Sequence, residues 1–315
     1  LLHPMKKILV IGSNGQLGLE LLTALRDKFG SKYVISSDIN DPSHADTYFE
    51  KLDARDVISL TSIIEKHDIK HVYHLAAILS ANGELDPISS WDVNMKTLLN
   101  VLELGRKGVI ERIFWPSSIA VFGRDTPKDH TDQNALTNPS TVYGISKLAG
   151  EKWCQYYFEK FGVDVRSIRY PGLISHKVQP GGGTTDYAID IFSKAISGIP
   201  YDCFLNSDAS LPMMYIDDAV RGTLMLMEAS SQNLSIRTSY NLNATSFSPA
   251  ELTAEIKKHI SGLQVQYKPD YRQLIAETWP RSIDDQPARS DWGWKEAYNL
   301  SQITAEMISA LSMKK

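Results

Sequence analysis

The stretch Lys7-Ile-Leu-Val-Ile-Gly12-Ser-Asn-Gly15-Gln-Leu-Gly18 decides the fold of this chain. Its first five residues form an apolar run rich in branched side chains, which predicts a buried parallel strand. Three glycines at three-residue intervals follow, and then an apolar helical stripe from Leu19 to Phe29, which Gly30 ends. Strand, glycine turn and helix in this order predict a dinucleotide site, with the pyrophosphate at the positive end of the helix. A purely structural turn is the alternative. The residues expected there are Gly12, Asn14, Gly15, Gln16, Leu17 and Gly18.

A second strand, Tyr33-Val-Ile-Ser-Ser37, ends at Asp38, twenty residues after Gly18. A carboxylate at this distance accepts hydrogen bonds from the adenosine ribose of a dinucleotide. The segment 36–41 contains no Arg or Lys, so a 2′-phosphate would meet uncompensated negative charge. We therefore predict NAD rather than NADP, with a helix cap or turn as the alternative role of Asp38. Asp53 is expected either beside the adenine amino group or at a cap.

Two further apolar runs, Lys70-His-Val-Tyr-His-Leu-Ala-Ala77 and Glu111-Arg-Ile-Phe-Trp115, predict strands on either side of a helix at Trp91–Leu104. Strands that alternate with helices predict an α/β fold with a doubly wound parallel sheet. Ligands bind outside the carboxyl ends of such strands. The residues expected at this edge are Leu75, Ala76, Ala77, Ser117 and Ser118. Asn94 is expected either in a network behind the ligand or on the surface.

Tyr143 and Lys147 lie at the start of another predicted helix, which runs to about Phe161 and ends at Gly162. Side chains four residues apart leave the same face of a helix. A cation beside a phenol lowers the pKa of the phenol and makes it a usable proton acceptor. Without other motifs, a Tyr and a Lys at this spacing are more often a half-buried aromatic side chain beside a solvated charge. The glycine turn and the order of the strands favour the chemical interpretation.

The composition is that of a globular protein and argues against several kinds of partner. The chain has 315 residues, a length that suits one large domain or two fused lobes. Its net charge of −4 argues against a basic surface for nucleic acid. No apolar run approaches the ~20 residues that span a bilayer. The first residues, 1–4, carry no signal-peptide pattern. Cys154 and Cys203 form no disulfide framework, and the histidines do not cluster as metal ligands. A cytoplasmic location is expected, or the mitochondrial matrix after processing.

Five motifs occur in one order along the chain: Gly12-x-x-Gly15-x-x-Gly18, His74-Leu-Ala-Ala77, Asn94, Ser117-Ser118-x-x-Val-Phe-Gly123 and Tyr143-x-x-x-Lys147. In this combination the chain resembles the extended short-chain dehydrogenase/reductases, a family that includes sugar-nucleotide epimerases and dehydratases. Later segments resemble the branch of that family that oxidises L-threonine at C3. These segments are 169–175, 180–187, 211–218, 239–242, 279–285 and 291–294.

The resemblance implies a two-part organisation and a reaction. It implies a Rossmann domain at 1–170, to which the chain returns at about 212–245, and a smaller, mainly substrate-binding lobe at 171–315. The product would be 2-amino-3-oxobutanoate, which loses carbon dioxide to give aminoacetone or passes to a CoA-dependent lyase. Relatives pair through the helices near 92–106 and 142–161, so a homodimer is implied.

The resemblance also assigns roles to individual residues. Tyr143 would take the hydroxyl proton, Ser118 would hold the alcohol oxygen, and Lys147 would lower the tyrosine pKa and bind the nicotinamide ribose. Ser117 is the alternative serine for holding the alcohol oxygen. Tyr170 and Leu173 are expected beside the nicotinamide.

Threonine is a zwitterion, and the loop Gly181-Gly-Gly-Thr-Thr-Asp186 is the candidate to hold its charged ends. Exposed backbone N–H groups and threonine hydroxyls hold a carboxylate without an arginine. A flexible surface turn is the alternative. The expected substrate residues are Ser80, Ser118, Tyr143, Gly182, Thr184 and Thr185.

Two other functions fit the same family motifs less well. A nucleotide-sugar epimerase or dehydratase has to hold a diphosphate, whereas Leu211-Pro-Met-Met-Tyr215 offers methionines in place of arginines. A catalytically silent NAD sensor has no need of Ser118, Tyr143 and Lys147, which are all present. A small polar substrate is therefore the favoured expectation.

Overall fold

A computed structural model describes residues 5–178 and 181–313 of the chain. The first four residues, and Pro180 of the glycine-rich segment quoted above, lie outside the described residues. A seven-stranded sheet, parallel at every pairing, forms the centre of the fold. In spatial order its strands are β10 (Tyr240–Asn241), β6 (Asp164–Tyr170), β5 (Arg112–Ser118), β4 (Ile69–His74), β1 (Lys7–Ile11), β2 (Val34–Asp38) and β3 (Phe49–Lys51).

Helices cover both faces of this sheet. Successive residues of β1 point to opposite sides: Ile8 and Val10 join one hydrophobic cluster, and Leu9 and Ile11 join another. The doubly wound parallel architecture is thereby confirmed. The helices between its strands are α1 (Gln16–Phe29), α2 (Val57–His67), α3 (Ser80–Gly83), α4 (Pro87–Arg106) and α5 (Val142–Phe161). Single 3₁₀ turns lie at Ser31–Tyr33, Ile119–Val121 and Ser231–Asn233.

The rest of the chain forms two smaller sheets and further helices. One sheet combines β7 (Gly172–Ile174), β9 (Leu211–Tyr215) and β11 (Thr245–Phe247), and the other pairs β8 (Tyr201–Cys203) with β12 (Val265–Tyr267). The helices are α6 (Tyr187–Ser197), α7 (Ile216–Glu228), α8 (Pro249–Lys257), α9 (Tyr271–Ala276), α10 (Gln286–Trp292) and α11 (Leu300–Ser312). No helix among the described residues is both long enough and apolar enough to cross a membrane.

Part of the segment 212–245 lies against the central sheet. The segment Leu211–Tyr215 pairs with β7 and β11 in the smaller sheet. Only α7, which packs against α1, and the short edge strand β10 belong to the central layer arrangement.

Several element boundaries differ from the sequence-based expectations, and each difference has a local cause. Helix α1 begins at Gln16 rather than Leu19, so that Gly18 lies in its first turn. Helix α4 begins at Pro87, because Asp86 caps its N-terminus and a proline suits the first helical position. Strand β5 continues to Ser118, since this stretch pairs with β6 over its whole length.

The polar segment after Ser118 is tied to the C-terminal part of the chain. The N–H of Thr131 donates to the carbonyl of Ser282 at 3.0 Å, and that of Arg281 donates to the carbonyl of Lys128 at 2.7 Å. The Lys128 ammonium donates to the carbonyl of Thr278 at 2.7 Å. These bonds bring Trp279 to the edge of the central sheet, although it lies more than a hundred residues further along the chain.

We predict that Gly18→Ala destabilises the protein. A Cβ at this position would lie 2.2 Å from the carbonyl oxygen of Gly12 and 2.9 Å from Cα of Ser13, so the backbone has to shift. Overpacking costs about 1–3 kcal/mol, which lowers Tm by roughly several degrees. Gly262→Ala is the control, because nothing lies within 4 Å of its added Cβ. Thermal unfolding measures both, and an unchanged Tm in the first variant would contradict the account.

Candidate active site

A cleft runs along the carboxyl ends of the central strands and contains two adjoining cavities. Both cavities have Gly12, Gly15, Leu75 and Ala77 on their walls. The cavity over β2 is called the outer cavity, and its wall also includes Asp38, Asp53 and Ala76. The inner cavity lies over β5 and β6. The predicted residues on its wall are Gln16, Leu17, Gly18, Ser80, Ser117, Ser118, Tyr143, Lys147, Tyr170, Leu173, Thr184 and Thr185. Asn14, Asn94 and Gly182 are not on the walls of either cavity.

The glycine turn, residues 12–18, approaches the backbone of the neighbouring strand closely. Gly12 has a φ of +83°, and a Cβ there would lie 2.7 Å from the backbone nitrogen of Ala76, so only glycine suits this position. Helix α1 starts with no side-chain cap and no acidic residue in its first turn. Its N-terminus therefore presents backbone N–H groups and positive potential to the cleft, which fits a pyrophosphate.

Asp38 braces the glycine turn and faces the outer cavity. Its carboxylate accepts hydrogen bonds from the N–H groups of Asn14 and Asn40, both at 3.1 Å. The Asn14 amide in turn donates to the carbonyl of Asn40 at 2.9 Å. Asn14 thus helps to hold the glycine turn and Asp38 in place without lining the cleft itself. Asp38 lies on the wall of the outer cavity, where the ribose of a dinucleotide would lie.

Asp53 forms an ion pair on the wall of the outer cavity. Its carboxylate accepts hydrogen bonds from the Arg55 guanidinium at 2.7 to 3.1 Å. These bonds hold the pKa of Asp53 below its usual range. The charged pair thus borders the space in which an adenine would lie.

Asn94 lies behind the cleft rather than on it. Its side-chain oxygen accepts a hydrogen bond from the N–H of Ile78 at 2.8 Å, and its amide donates to the carbonyl of Ile78 at 3.1 Å and to Ser146 Oγ at 3.2 Å. These contacts fix the segment that follows Ala77 against α5.

Tyr143 is placed by the first turn of α5. The hydroxyl of Thr141 caps this helix by accepting a hydrogen bond from the N–H of Gly144 at 3.1 Å. Burial raises the pKa of Tyr143 to about 12, although a hydrogen bond with Ser118 acts in the opposite direction. The phenol is therefore neutral at physiological pH in the protein without ligands.

Lys147 lies one turn further along α5, on the same face as Tyr143. Its ammonium donates to the carbonyl of Pro116 at 2.6 Å and lies 5.5 Å from the centre of the Tyr143 ring. Burial lowers the pKa of Lys147 to about 7. Burial is thus the largest cause of the pKa shift at both groups, and the expected effect of Lys147 on the tyrosine pKa stays a prediction.

The two neighbouring serines differ in their partners. The hydroxyl of Ser117 donates to Glu151 Oε1 at 2.6 Å, in a buried cluster behind the strand. The hydroxyl of Ser118 accepts a hydrogen bond from the N–H of Ala120 at 3.1 Å, and the interaction of Ser118 with the Tyr143 phenol lowers the pKa of that phenol. The side chain beside the candidate proton acceptor is therefore that of Ser118.

The glycine-rich loop differs from its expected role in one respect. The N–H groups of Gly182 and Gly183 donate to Asp186 Oδ2 at 2.9 and 2.7 Å. They are therefore already satisfied, and the expectation that backbone N–H groups of this loop hold a substrate carboxylate is wrong for these two. The hydroxyls of Thr184 and Ser80 face each other at 3.5 Å on the wall of the inner cavity.

Two residues with chemically distinctive side chains, Asp186 and Trp279, lie on the wall of the inner cavity although neither was predicted individually as a site residue. Burial raises the pKa of the Asp186 carboxyl, while its bonds with the two glycines act against this. An acid after a run of glycines and just before the start of α6 was a usable signal for Asp186. Trp279 had none, because only the contacts between distant segments bring it to the cavity.

We predict a pH-dependent effect of Lys147→Met on stability. Folding lowers the pKa of Lys147 from 10.5 to about 7, so between these values the unfolded chain binds a proton that the folded protein does not. The contribution of Lys147 to the free energy of unfolding therefore increases as the pH rises from 7 to 10.5. Below pH 7 the lysine is charged in the folded protein, and this buried charge lowers the free energy of unfolding. The variant should gain most over the wild type near pH 6 and least near pH 10.

Thermal unfolding at pH 6 and pH 10 measures this effect. Lys152→Met is the matched control, because Lys152 is an exposed lysine on the same helix. A difference between Lys147→Met and the wild type that is the same at both pH values would contradict the assigned burial cost.

The chain matches the model of the family described as "NAD dependent epimerase/dehydratase family" over residues 8–242. An uncharacterized epimerase/dehydratase of Staphylococcus haemolyticus is 43% identical over 98% of this chain and 99% of its own length. The family that the motifs indicated is thereby confirmed.

Solved structures are similar over almost the whole chain. The GalE-like L-threonine dehydrogenase from Cupriavidus necator, in its holo form, is 54% identical with a TM-score of 0.95 and covers 97% of this chain and 99% of its own. A monomeric L-threonine 3-dehydrogenase from a metagenome, in its apo form, is 50% identical with a TM-score of 0.94 and covers 98% and 99%. The chain belongs to the NAD dependent epimerase/dehydratase family, and its cofactor is NAD.

Proposed function

We propose that this protein oxidises L-threonine at C3 to L-2-amino-3-oxobutanoate. The observation that carries the proposal is the pair of Ser118 and Tyr143 on the wall of the cavity that also contains the glycine turn. The chain shares about half of its residues, over nearly its whole length, with solved L-threonine dehydrogenases. The expected roles of the site residues remain part of the proposal.

The reaction removes a proton from the hydroxyl and a hydride from C3. When bound, NAD would supply the hydride acceptor, and the positive charge of its oxidised nicotinamide ring would favour the phenolate form of a tyrosine beside it. Tyr143 takes the hydroxyl proton, and Ser118 holds the oxygen by a hydrogen bond. Lys147 is fixed by the carbonyl of Pro116 at 2.6 Å and adds positive charge on the same side of the phenol when protonated.

The two charged ends of threonine need partners on the wall of the inner cavity. The Asp186 carboxylate is the acidic group on that wall, and we assign it to the substrate ammonium. Thr184, Thr185 and Ser80 offer hydroxyls for the substrate carboxylate. Lys147 is the only cation among the described residues that line this cavity, which disfavours a nucleotide diphosphate as the substrate.

The test is the formation of NADH, followed by its absorbance, from NAD and one of several candidate substrates. We expect turnover with L-threonine and little or none with D-threonine, L-serine or UDP-galactose. Tyr143→Phe should lower kcat by roughly 10²-fold or more, because it removes the proton acceptor, while NAD still binds. No NADH from L-threonine with the wild-type protein would overturn the proposal. Conversion of UDP-galactose to its epimer, measured by chromatography because epimerisation produces no net NADH, would favour an epimerase-like function.

We also propose that the protein forms a homodimer through α4 and α5. A stripe of apolar side chains lies exposed along α5, at Ile145, Trp153 and Tyr156, with Ile88 and Trp91 exposed on α4. Apolar patches of this kind mark interaction surfaces. Because α4 and α5 pack side by side, two copies would bury this face as a four-helix arrangement.

We predict that Tyr156→Lys shifts the protein from dimer towards monomer, because it places a charge in the proposed interface. The matched control is Tyr271→Lys, on α9 in the C-terminal part of the chain. The two tyrosines are 47% and 55% exposed. Light scattering after size exclusion measures the mass of each protein. A monomeric wild type, or equal masses for the two variants, would contradict the proposal.

A further inference from the structure

We propose that Asn82 is a positioning residue that fastens the loop Gly181–Asp186 to α3 and thereby sets the affinity for the amino-acid substrate. This inference rests on the proposed function, since it assigns the loop to substrate binding. Asn82 itself does not line the inner cavity and has no part in the proton transfer. It acts through the loop, whose Thr184, Thr185 and Asp186 lie on the cavity wall.

The contact between Asn82 and the loop is direct. Its side-chain amide donates to the carbonyl of Gly181 at 3.0 Å. The next residue, Gly182, has a φ of +87°, and a Cβ there would lie 2.8 Å from Asn82 Oδ1. Loop and side chain therefore fit closely, and the glycine both permits the backbone conformation and leaves room for the asparagine.

The C-terminal end of α3 is held against α5, the helix that bears Tyr143. Glu84, directly after α3, accepts a hydrogen bond from the N–H of Val142 at 2.8 Å, at the start of α5 and beside Tyr143. Gly83 packs against Val142, and its carbonyl accepts a hydrogen bond from Ser90 Oγ at 3.3 Å. Asn82 thus fixes the position of the loop relative to the helix that bears the candidate proton acceptor.

The loop is held together by its own hydrogen bonds and has few polar contacts with α3. Asp186 holds the N–H groups of Gly182 and Gly183, so the loop behaves as one unit. Its other polar contact with α3 among the described residues joins Ser80 and Thr184 at 3.5 Å, the limit of a hydrogen bond. Loss of the Asn82 bond therefore loosens the loop where it meets α3.

The expected consequence is a change in substrate binding rather than in chemistry. One neutral hydrogen bond corresponds to a change of about 2- to 10-fold in a binding constant. Asn82→Ala should therefore raise KM for L-threonine by about this factor. The kcat should stay within about twofold, because an interaction equal in ground and transition states affects KM alone. The affinity for NAD should be unchanged, since the glycine turn is not involved.

Steady-state kinetics with Asn82→Ala, Asn82→Asp and Asn138→Ala tests the inference. The aspartate keeps the size but turns an acceptor towards the Gly181 carbonyl, so its KM should rise at least as far as that of the alanine variant. Asn138 is the matched control: it is also exposed, and its amide donates to Asp125 at 3.1 Å, outside the loop. Hydrogen exchange of the peptide over 181–187, without ligands, should accelerate in both Asn82 variants only.

The outcomes separate this inference from the proposed function. If the wild type makes no NADH from L-threonine, the proposed function fails, and the assignment of Asn82 to substrate affinity fails with it. If the wild type turns over and Asn82→Ala keeps the same KM, the inference alone is overturned. A fall in kcat at unchanged KM, or a loss of NAD affinity, also overturns it, because both indicate general damage to the fold.

Discussion

A buried ion pair between α5 and β6 underlies the whole candidate site. Glu151 and Arg169 bond through two contacts of 2.8 and 2.7 Å, and both side chains are almost fully buried. Glu151 also accepts the hydroxyl of Ser117, and Arg169 donates to Asn241 at 3.1 Å. Removing one partner of such a pair leaves an uncompensated charge in the interior, at a cost of about 3–5 kcal/mol. The helix that presents Tyr143 is thus fixed in depth and rotation against the strand ends.

The same burial that fixes this helix also sets the charge state of its reactive groups. It raises the pKa of Tyr143 to about 12 and lowers that of Lys147 to about 7. Both groups thus tend towards their neutral forms, because burial disfavours the charged form and so shifts the two pKa values in opposite directions. Charges brought into a poorly hydrated cavity act strongly. In the proposed reaction the tyrosine is most readily deprotonated when positive charge lies beside it, so proton transfer would depend on occupancy of the cofactor site.

Local patterns predicted the parts of the molecule that depend on neighbouring residues. The glycine turn follows from its spacing after β1. The end of α5 at Gly162 follows from capping chemistry. The alternation of strands and helices predicted the sheet and placed Ser118 at its carboxyl edge, where the structure has it.

Features that depend on distant segments, on the conformation of a loop or on burial were not predicted in this way. Trp279 reaches the cavity only because residues 278–284 bond along the segment after Ser118. The carboxylate of Asp186 takes two N–H groups that the sequence left free for a ligand. A single sequence also gives no measure of burial, and burial reverses the expected pKa shift of Tyr143.

In the proposed reaction, hydride leaves C3 of L-threonine while the hydroxyl proton goes to the protein. L-Threonine labelled with deuterium at C3 tests this most directly, with mass spectrometry of the NADH formed and the rates compared with unlabelled substrate. The account predicts that one deuterium appears in the reduced nicotinamide for every molecule oxidised. NADH that forms without the label would show that the hydride comes from another carbon and would contradict the account.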